Sequence, residues 1–205
     1  MNINTDPSSP KSPTPPADDL DRADMARLQT GQDAALNDLM ERHATPVFHF
    51  LCRMVGNEDD ANDLAQETFV RVFKSAKSFR TGEKFSTWLF TIAANLARNH
   101  FRWRSRHPYL SLDAENPESD LSLGSTLSAN SPTPKEAALT EERAKAVRTA
   151  VQNLPDDLRE AIVLCEWEEH SVAEAAAILE ATPKAVESRL YRARGRLRER
   201  LKSWL

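Results

Sequence analysis

Residues 171–202 read SVAEAAAILEATPKAVESRLYRARGRLRERLK. The stretch is a short helix, a tight turn and a longer basic helix. Ser171 stands three residues before Glu174, the spacing of a capping box, in which each residue satisfies a backbone N–H the other leaves bare. Glu180-Ala181-Thr182 interrupt the pattern. Pro183 then occupies a first helical position, where its missing N–H costs nothing, with Thr182 as the cap. Val186, Leu190, Ala193, Leu197 and Leu201 recur at helical spacing and form one apolar stripe. Lys184, Ser188 and Tyr191 point away from it, and Arg192 and Arg196 lie on a flank. Between Lys184 and Lys202 there are eight Lys/Arg and two Glu. A capped short helix before a cationic one predicts a helix-turn-helix whose second helix enters the DNA major groove. A basic amphipathic helix on a membrane or in a coiled coil is the alternative, and the compact helix just before it favours DNA.

The net charge of −4 would argue against a nucleic-acid binder, but its distribution reverses that. Positive charge is concentrated in 184–202 and in RNHFRWRSRH, residues 98–107, with four Arg and no acid. Acidic residues dominate 1–21, 109–140 and 141–180, and there they oppose non-specific attraction to phosphate.

Outside these segments the chain of 205 residues has room for one or two domains. Five Gly and long runs without Pro predict an almost wholly helical protein. No apolar run is long enough for a transmembrane helix, and no signal peptide is expected. Cys52 and Cys165 sit in apolar helical patterns and read as reduced core residues of a cytosolic protein. His49-x-x-Cys52 has no second pair to complete a metal site, so no metal is expected.

The fold class expected is all-α: two small helical domains joined by a flexible linker, the second containing the helix-turn-helix. Residues 1–20 carry too few apolar groups to offset ordering entropy and read as a disordered tail. The first domain spans 21–107. Its helices fall near 23–29, 33–55, 59–79 and 85–104, with Pro46 inside the second as a candidate kink. The third carries Ala61, Leu64, Ala65, Phe69, Val72, Phe73 and Ala76 on one face, and the fourth buries Trp88, Leu89, Ile92, Ala93 and Leu96. Arg80 to Lys84 is a loop. Residues 108–136 form the linker, and 137–205 the second domain, with one helix to Leu154 and another opened by Pro155.

DANDLAQETF from Asp60 to Phe69, FSTWLFTIAAN from Phe85 to Asn95, Leu154-Pro155 and SRLYRAR from Ser188 to Arg194 together resemble bacterial RNA polymerase sigma factors of the extracytoplasmic-function (ECF) group. These keep only sigma regions 2 and 4, and the resemblance covers about 22–107 and 137–203 in the same order and spacing.

The resemblance implies a role for each polar face. Asp63, Gln66, Glu67 and Arg71 would dock on the coiled coil of the polymerase β′ subunit. Phe79, Arg80, Lys84, Asn95, Arg98 and Arg102 would meet the −10 promoter element. There Phe79 would wall a flipped base and Asn95 would read its edge, while arginines hold phosphates, which position without specifying. Lys184, Glu187, Ser188, Arg189, Tyr191, Arg192 and Arg196 would meet the −35 element. Without the motifs each set is a solvated polar face. Two residues depart from the family pattern. Glu187 stands where a basic residue is common. Glu180 stands where the turn often has Gly, so a left-handed turn is not expected there. The acidic linker, with Asp113, Glu115, Glu118 and Asp120, would thread polymerase toward the RNA exit path.

The expected function is thus promoter selection by core RNA polymerase, reached through the β′ coiled coil and the β flap, in the cytoplasm. Neither catalysis nor a cofactor is expected: there is no Gly-rich phosphate loop, no metal-ligand set and no nucleophile with a His/Asp partner. The family commonly has an anti-sigma partner. A stand-alone helix-turn-helix regulator with a sensing or dimerisation domain is the competing reading.

Overall fold

The computed structural model describes residues 17–80, 82–107 and 134–204. The expected tail up to residue 16 and the linker core 108–133 lie outside them. Among the described residues eight α-helices follow in order: α1 Ala17–Gln29, α2 Ala35–Val55, α3 Glu58–Ser75, α4 Phe85–Arg106, α5 Pro134–Gln152, α6 Asp156–Glu166, α7 Val172–Ile178 and α8 Pro183–Arg200.

Local chemistry sets most of the boundaries. The α2–α3 corner turns at Gly56, whose φ of +74° closes α2 with an N–H donated to the Cys52 carbonyl. Asn57 caps α3 by accepting the Asp60 N–H at 2.8 Å. The capping box at α7 is complete: Ser171 accepts the Glu174 N–H and Glu174 accepts the Ser171 N–H. Thr182 caps α8 through the Ala185 N–H, with Pro183 in its first turn. α2 runs unbroken through Pro46.

α1 begins earlier than the sequence suggests. Its first turn takes in residues 17–20, assigned above to the disordered tail. The reason is tertiary: Asp21 and Asp24 are buried against α2, where Arg42 donates to both and His43 Nε2 lies 2.8 Å from Asp21. Burial works against the Asp21 charge, but the His43 and Arg42 contacts overcome it and hold its pKa below the ordinary value.

The two-domain all-α architecture is as expected; the sequence left open how the domains sit against each other. The two helical domains do not stand apart: α2 packs on α5 and α6 as well as on α1, α3 and α4, and α4 packs on α7. α6 is the wedge between them. Leu158 through Leu164 are all buried, Arg159 and Glu160 included. A helix buried on every side belongs inside a body. The polar residues there find partners both across the interface and within the second domain. Arg159 Nη1 donates to the Met54 carbonyl at 2.7 Å, and its Nη2 to the Gln152 and Leu154 carbonyls at 2.7 and 2.9 Å. Gln152 Nε2 donates to the Arg53 carbonyl at 2.6 Å. The last carbonyls of α2, which no intrahelical N–H can reach, are thus capped by side chains 99 and 105 residues further along the chain. Arg53 in turn donates to Glu168 at 3.0 Å and lies over the Trp167 ring.

Candidate nucleic-acid interface

α8 presents the arrangement the sequence predicts. Val186, Leu190 and Ala193 are buried and seat the helix on α6 and α7. Lys184, Glu187, Ser188, Arg192 and Arg196 are exposed on the outer side. Tyr191 is 81% exposed on the same side. Arg189 and Arg192 both lie 3.9 Å from Asp157 at the start of α6, so one carboxylate holds two arginines at the rim of this face. Lys184 and Glu187 form no ion pair with each other among the described contacts. The α7–α8 turn differs from expectation: Glu180 does adopt the left-handed conformation, with φ of +50°. Such a residue is strained by about 1–3 kcal/mol, which the packing of α7 on α8 must offset.

The second basic surface is built by the 79–84 loop and α4. Phe79 is a correction. It is only 5% exposed, packed with Trp88 and Phe85 at ring distances of 5.2 and 6.1 Å, and its carbonyl is held by Gln29. Its ring is a core aromatic and offers no face to a base. Arg80 and Arg102 are exposed and Asn95 is half-buried. Lys84 and Arg98 are engaged with the second domain. Lys84 Nζ donates to Glu174 at 3.0 Å, while Arg98 pairs with Glu160 at 3.0 Å and donates to the Ile178 carbonyl. Burial opposes the Glu174 charge, but the Ser171 N–H, Lys84 and the Ser171 hydroxyl together hold its pKa at about 2. Glu160 is pushed upward by burial, against the pull of Arg98 and Arg189. Sequence reasoning missed Trp103, which is 46% exposed, stacked on His107 and flanked by arginines. The alternation of aromatic and cationic residues in FRWRSR was the signal in the sequence.

α3 supplies a third surface. Asp63, Gln66 and Arg71 are exposed, and Glu67 accepts from Arg71 at 2.9 Å. Val70 and Phe73 lie among them, 41% and 44% exposed. Phe73 was assigned to the core face by periodicity. Instead it turns outward beside the charged residues, and Phe69 and Val72 fill the core. No helix of the described residues is long and apolar enough to cross a membrane, and no group of three potential metal ligands occurs among them.

Comparison with known proteins converges on one family. The family model for Sigma-70 region 2 matches residues 39–107, and that for Sigma-70, region 4 matches 144–197. The chain is 36% identical to the ECF RNA polymerase sigma-E factor of Haemophilus influenzae over 85% of its own length and 91% of the relative's. It is 31% identical to the ECF RNA polymerase sigma factor SigW of Bacillus subtilis, covering 86% and 94%. Among solved structures it is similar to CnrH in complex with the cytosolic domain of CnrY (TM-score 0.67, 28% identity, 90% of this chain and 99% of that one). It also resembles the sigma factor RpoE in complex with the anti-sigma factor NepR from Bartonella quintana (TM-score 0.62, 28% identity, 81% and 96%). With two basic helical surfaces in the order of regions 2 and 4 and relatives matched over most of both chains, the protein belongs to the ECF family of RNA polymerase sigma factors.

Proposed function

We propose that this chain recruits core RNA polymerase to a defined set of promoters, reads their −35 element with α8 and helps open the −10 region with the 79–84 loop and α4. The observation that carries the reading is the pairing of an exposed groove-facing side on α8, centred on Tyr191, with an amphipathic docking face on α3 in the same chain. Asp63, Gln66, Glu67 and Arg71, with Val70 and Phe73 between them, form the polymerase contact: the apolar pair supplies burial and the charges supply orientation. Lys184, Glu187, Ser188, Tyr191 and Arg192 face base edges, while Arg189 and Arg196 suit phosphates. Arg80, Lys84, Asn95, Arg98 and Arg102, with Trp103, form the −10 face.

Each of these acts by binding, so the chain works without catalysis or cofactor of its own, in the cytoplasm. An anti-sigma protein, the partner named for the RpoE structure, is a further binding partner by this reading. Reconstitution decides it. Purified chain added to core polymerase should give run-off transcripts from a subset of genomic promoters and none without polymerase. Tight, symmetric operator binding by the chain alone would instead establish a stand-alone regulator.

A further inference from the structure

Gln29 is the last residue of α1, and its side chain leaves the helix for another part of the fold. Its backbone is set locally. Gly31, with φ of +87°, reverses the chain, and the Gln32 N–H donates back to the Arg27 carbonyl at 3.0 Å. A primary amide carries two N–H donors on one nitrogen, and Gln29 uses both. Its Nε2 donates to the Ala76 and Phe79 carbonyls, each at 2.9 Å, across 47 and 50 residues of chain. These carbonyls bracket the short 3-10 turn Ala76–Ser78 that follows α3. Phe79 is extended, so helical bonding stops there, and Arg80 follows it onto the surface. The Glu83 N–H then donates to the Arg80 carbonyl at 2.9 Å, and the chain reaches Lys84 and α4. The far side of this loop is held by rings. Phe85 lies 6.1 Å from Phe79 and 5.1 Å from His43, whose Nε2 is 2.8 Å from Asp21 of α1. α1 thus grips the loop at both ends, directly at its entry through Gln29 and by way of His43 at its exit.

We propose that Gln29 is a positioning residue for −10 recognition: by clamping the Ala76 and Phe79 carbonyls it fixes where Arg80 leaves the core, and so sets which −10 bases this chain accepts. This rests on the reading of Arg80 and Lys84 as −10 contacts. Gln29 bonds to backbone carbonyls ahead of Arg80, so it acts through the loop and not on DNA. A contact that reads a base edge discriminates only when its frame is held to within about 0.5 Å. A loop free to shift keeps its charge, and with it the attraction to phosphate, but loses the geometry that separates one base from another. Few side chains reproduce the clamp. Asn has the amide but is one methylene short. Met and Glu have the length but, at about pH 8, no N–H to donate.

The test uses the full chain in two arms. The first, without polymerase, times limited trypsin cleavage after Arg80, with cleavage after Arg198 near the end of α8 as the internal reference. Such cleavage reports how often a segment opens. Gln29→Met keeps side-chain length and helix propensity and removes both donors. It should raise the Arg80 rate relative to Arg198 about threefold or more. Thr30→Ala, exposed one residue further on, should leave that ratio within about twofold. In the second arm core polymerase transcribes a promoter taken from the genomic run-off products, with its −10 or its −35 element randomised. Gln29→Met should cut the ratio of best to worst base at the most selective −10 position by about threefold or more, and keep the wild-type preferences at −35. An unchanged Arg80-to-Arg198 ratio overturns the proposal. So does a Gln29→Met protein that yields less transcript with wild-type −10 preferences, the result a purely structural role gives. Should Gln29→Met lose its helical circular dichroism, Gln29→Glu is judged by the same criteria, and loss of fold in both overturns the proposal. Absence of promoter-dependent transcript from the wild type counts against the polymerase reading and removes the −10 role with it, whereas the trypsin arm judges the clamp separately.

Discussion

Arg159 on α6 and the Met54 carbonyl at the end of α2 are 2.7 Å apart, a buried charge-assisted hydrogen bond between residues from opposite halves of the chain. Three further carbonyls accept from the same guanidinium, which also lies over the Phe101 ring. Truncating it strands several buried acceptors at once, at about 2–4 kcal/mol. Urea unfolding of wild type should be a single cooperative transition. Arg159→Met should lower the midpoint and split or broaden the curve, because the halves no longer unfold as one. An unshifted, equally steep transition would show that the clamp does not couple them.

The interface should also respond to pH through Glu168. Burial raises its pKa from 4.5 to about 7 despite Arg53 at 3.0 Å. A group whose folded pKa is raised contributes stability that is complete below the unfolded value and lost as pH rises through the folded one. Glu168 therefore costs stability progressively between about pH 4.5 and 7, by about 1–3 kcal/mol. His170 is held below its ordinary value by burial and runs the other way. The informative quantity is the difference in Tm between wild type and Glu168→Gln. It should favour wild type most at pH 5 and shrink or reverse by pH 8; a constant difference would remove Glu168 from the pH dependence.

On α3, Asp63→Lys with Glu67→Lys should weaken capture of core polymerase while helical content is unchanged, since exposed substitutions usually shift stability by under ~0.5 kcal/mol. Phe73→Ala should do the same through lost apolar contact. Undiminished pull-down by both variants would place the docking face elsewhere.

Phe79 and Asn95 should now separate. Phe79→Ala removes a buried ring and should destabilise the fold by about 3–5 kcal/mol. Asn95→Ala leaves the core intact and should instead reduce permanganate reactivity of the −10 region in the polymerase complex. Normal promoter melting by Asn95→Ala would exclude a base contact from its amide.

Glu187 stands exposed on α8 with no ion pair to Lys184 among the described contacts. Its carboxylate would repel a phosphate but can accept from the N4 amino group of cytosine, a contact worth roughly 1–3 kcal/mol of discrimination. A −35 library selected with wild type and Glu187→Ala should lose a cytosine preference at one position, with a nearby guanine preference from Arg192 retained. Identical base preferences for the two proteins would show that Glu187 reads nothing.

What the sequence determined by itself is local. Ser171 with Glu174, Thr182 with Pro183, and the Val186–Leu190–Ala193 stripe fixed the helix-turn-helix, because capping and helical periodicity act within a few residues of chain. The order of the motifs placed the polar face of α3 and the basic end of α4. Tertiary structure decided which apolar residues α3 buries: Phe69 and Val72 fill the core, leaving Phe73 outside. It turned Phe79 inward, where Trp88 and Phe85 from the next helix surround it. It also closed the two halves on each other. Arg159, Glu160 and Glu168 look like ordinary solvated charges in a linear reading. Their partners are the end carbonyls of α2, Arg98 on α4 and Arg53 on α2, residues 105, 62 and 115 positions away. Periodicity reports which face of a helix is apolar. It carries no information on which distant backbone group will satisfy a buried charge, and that is the contact on which the closed arrangement depends.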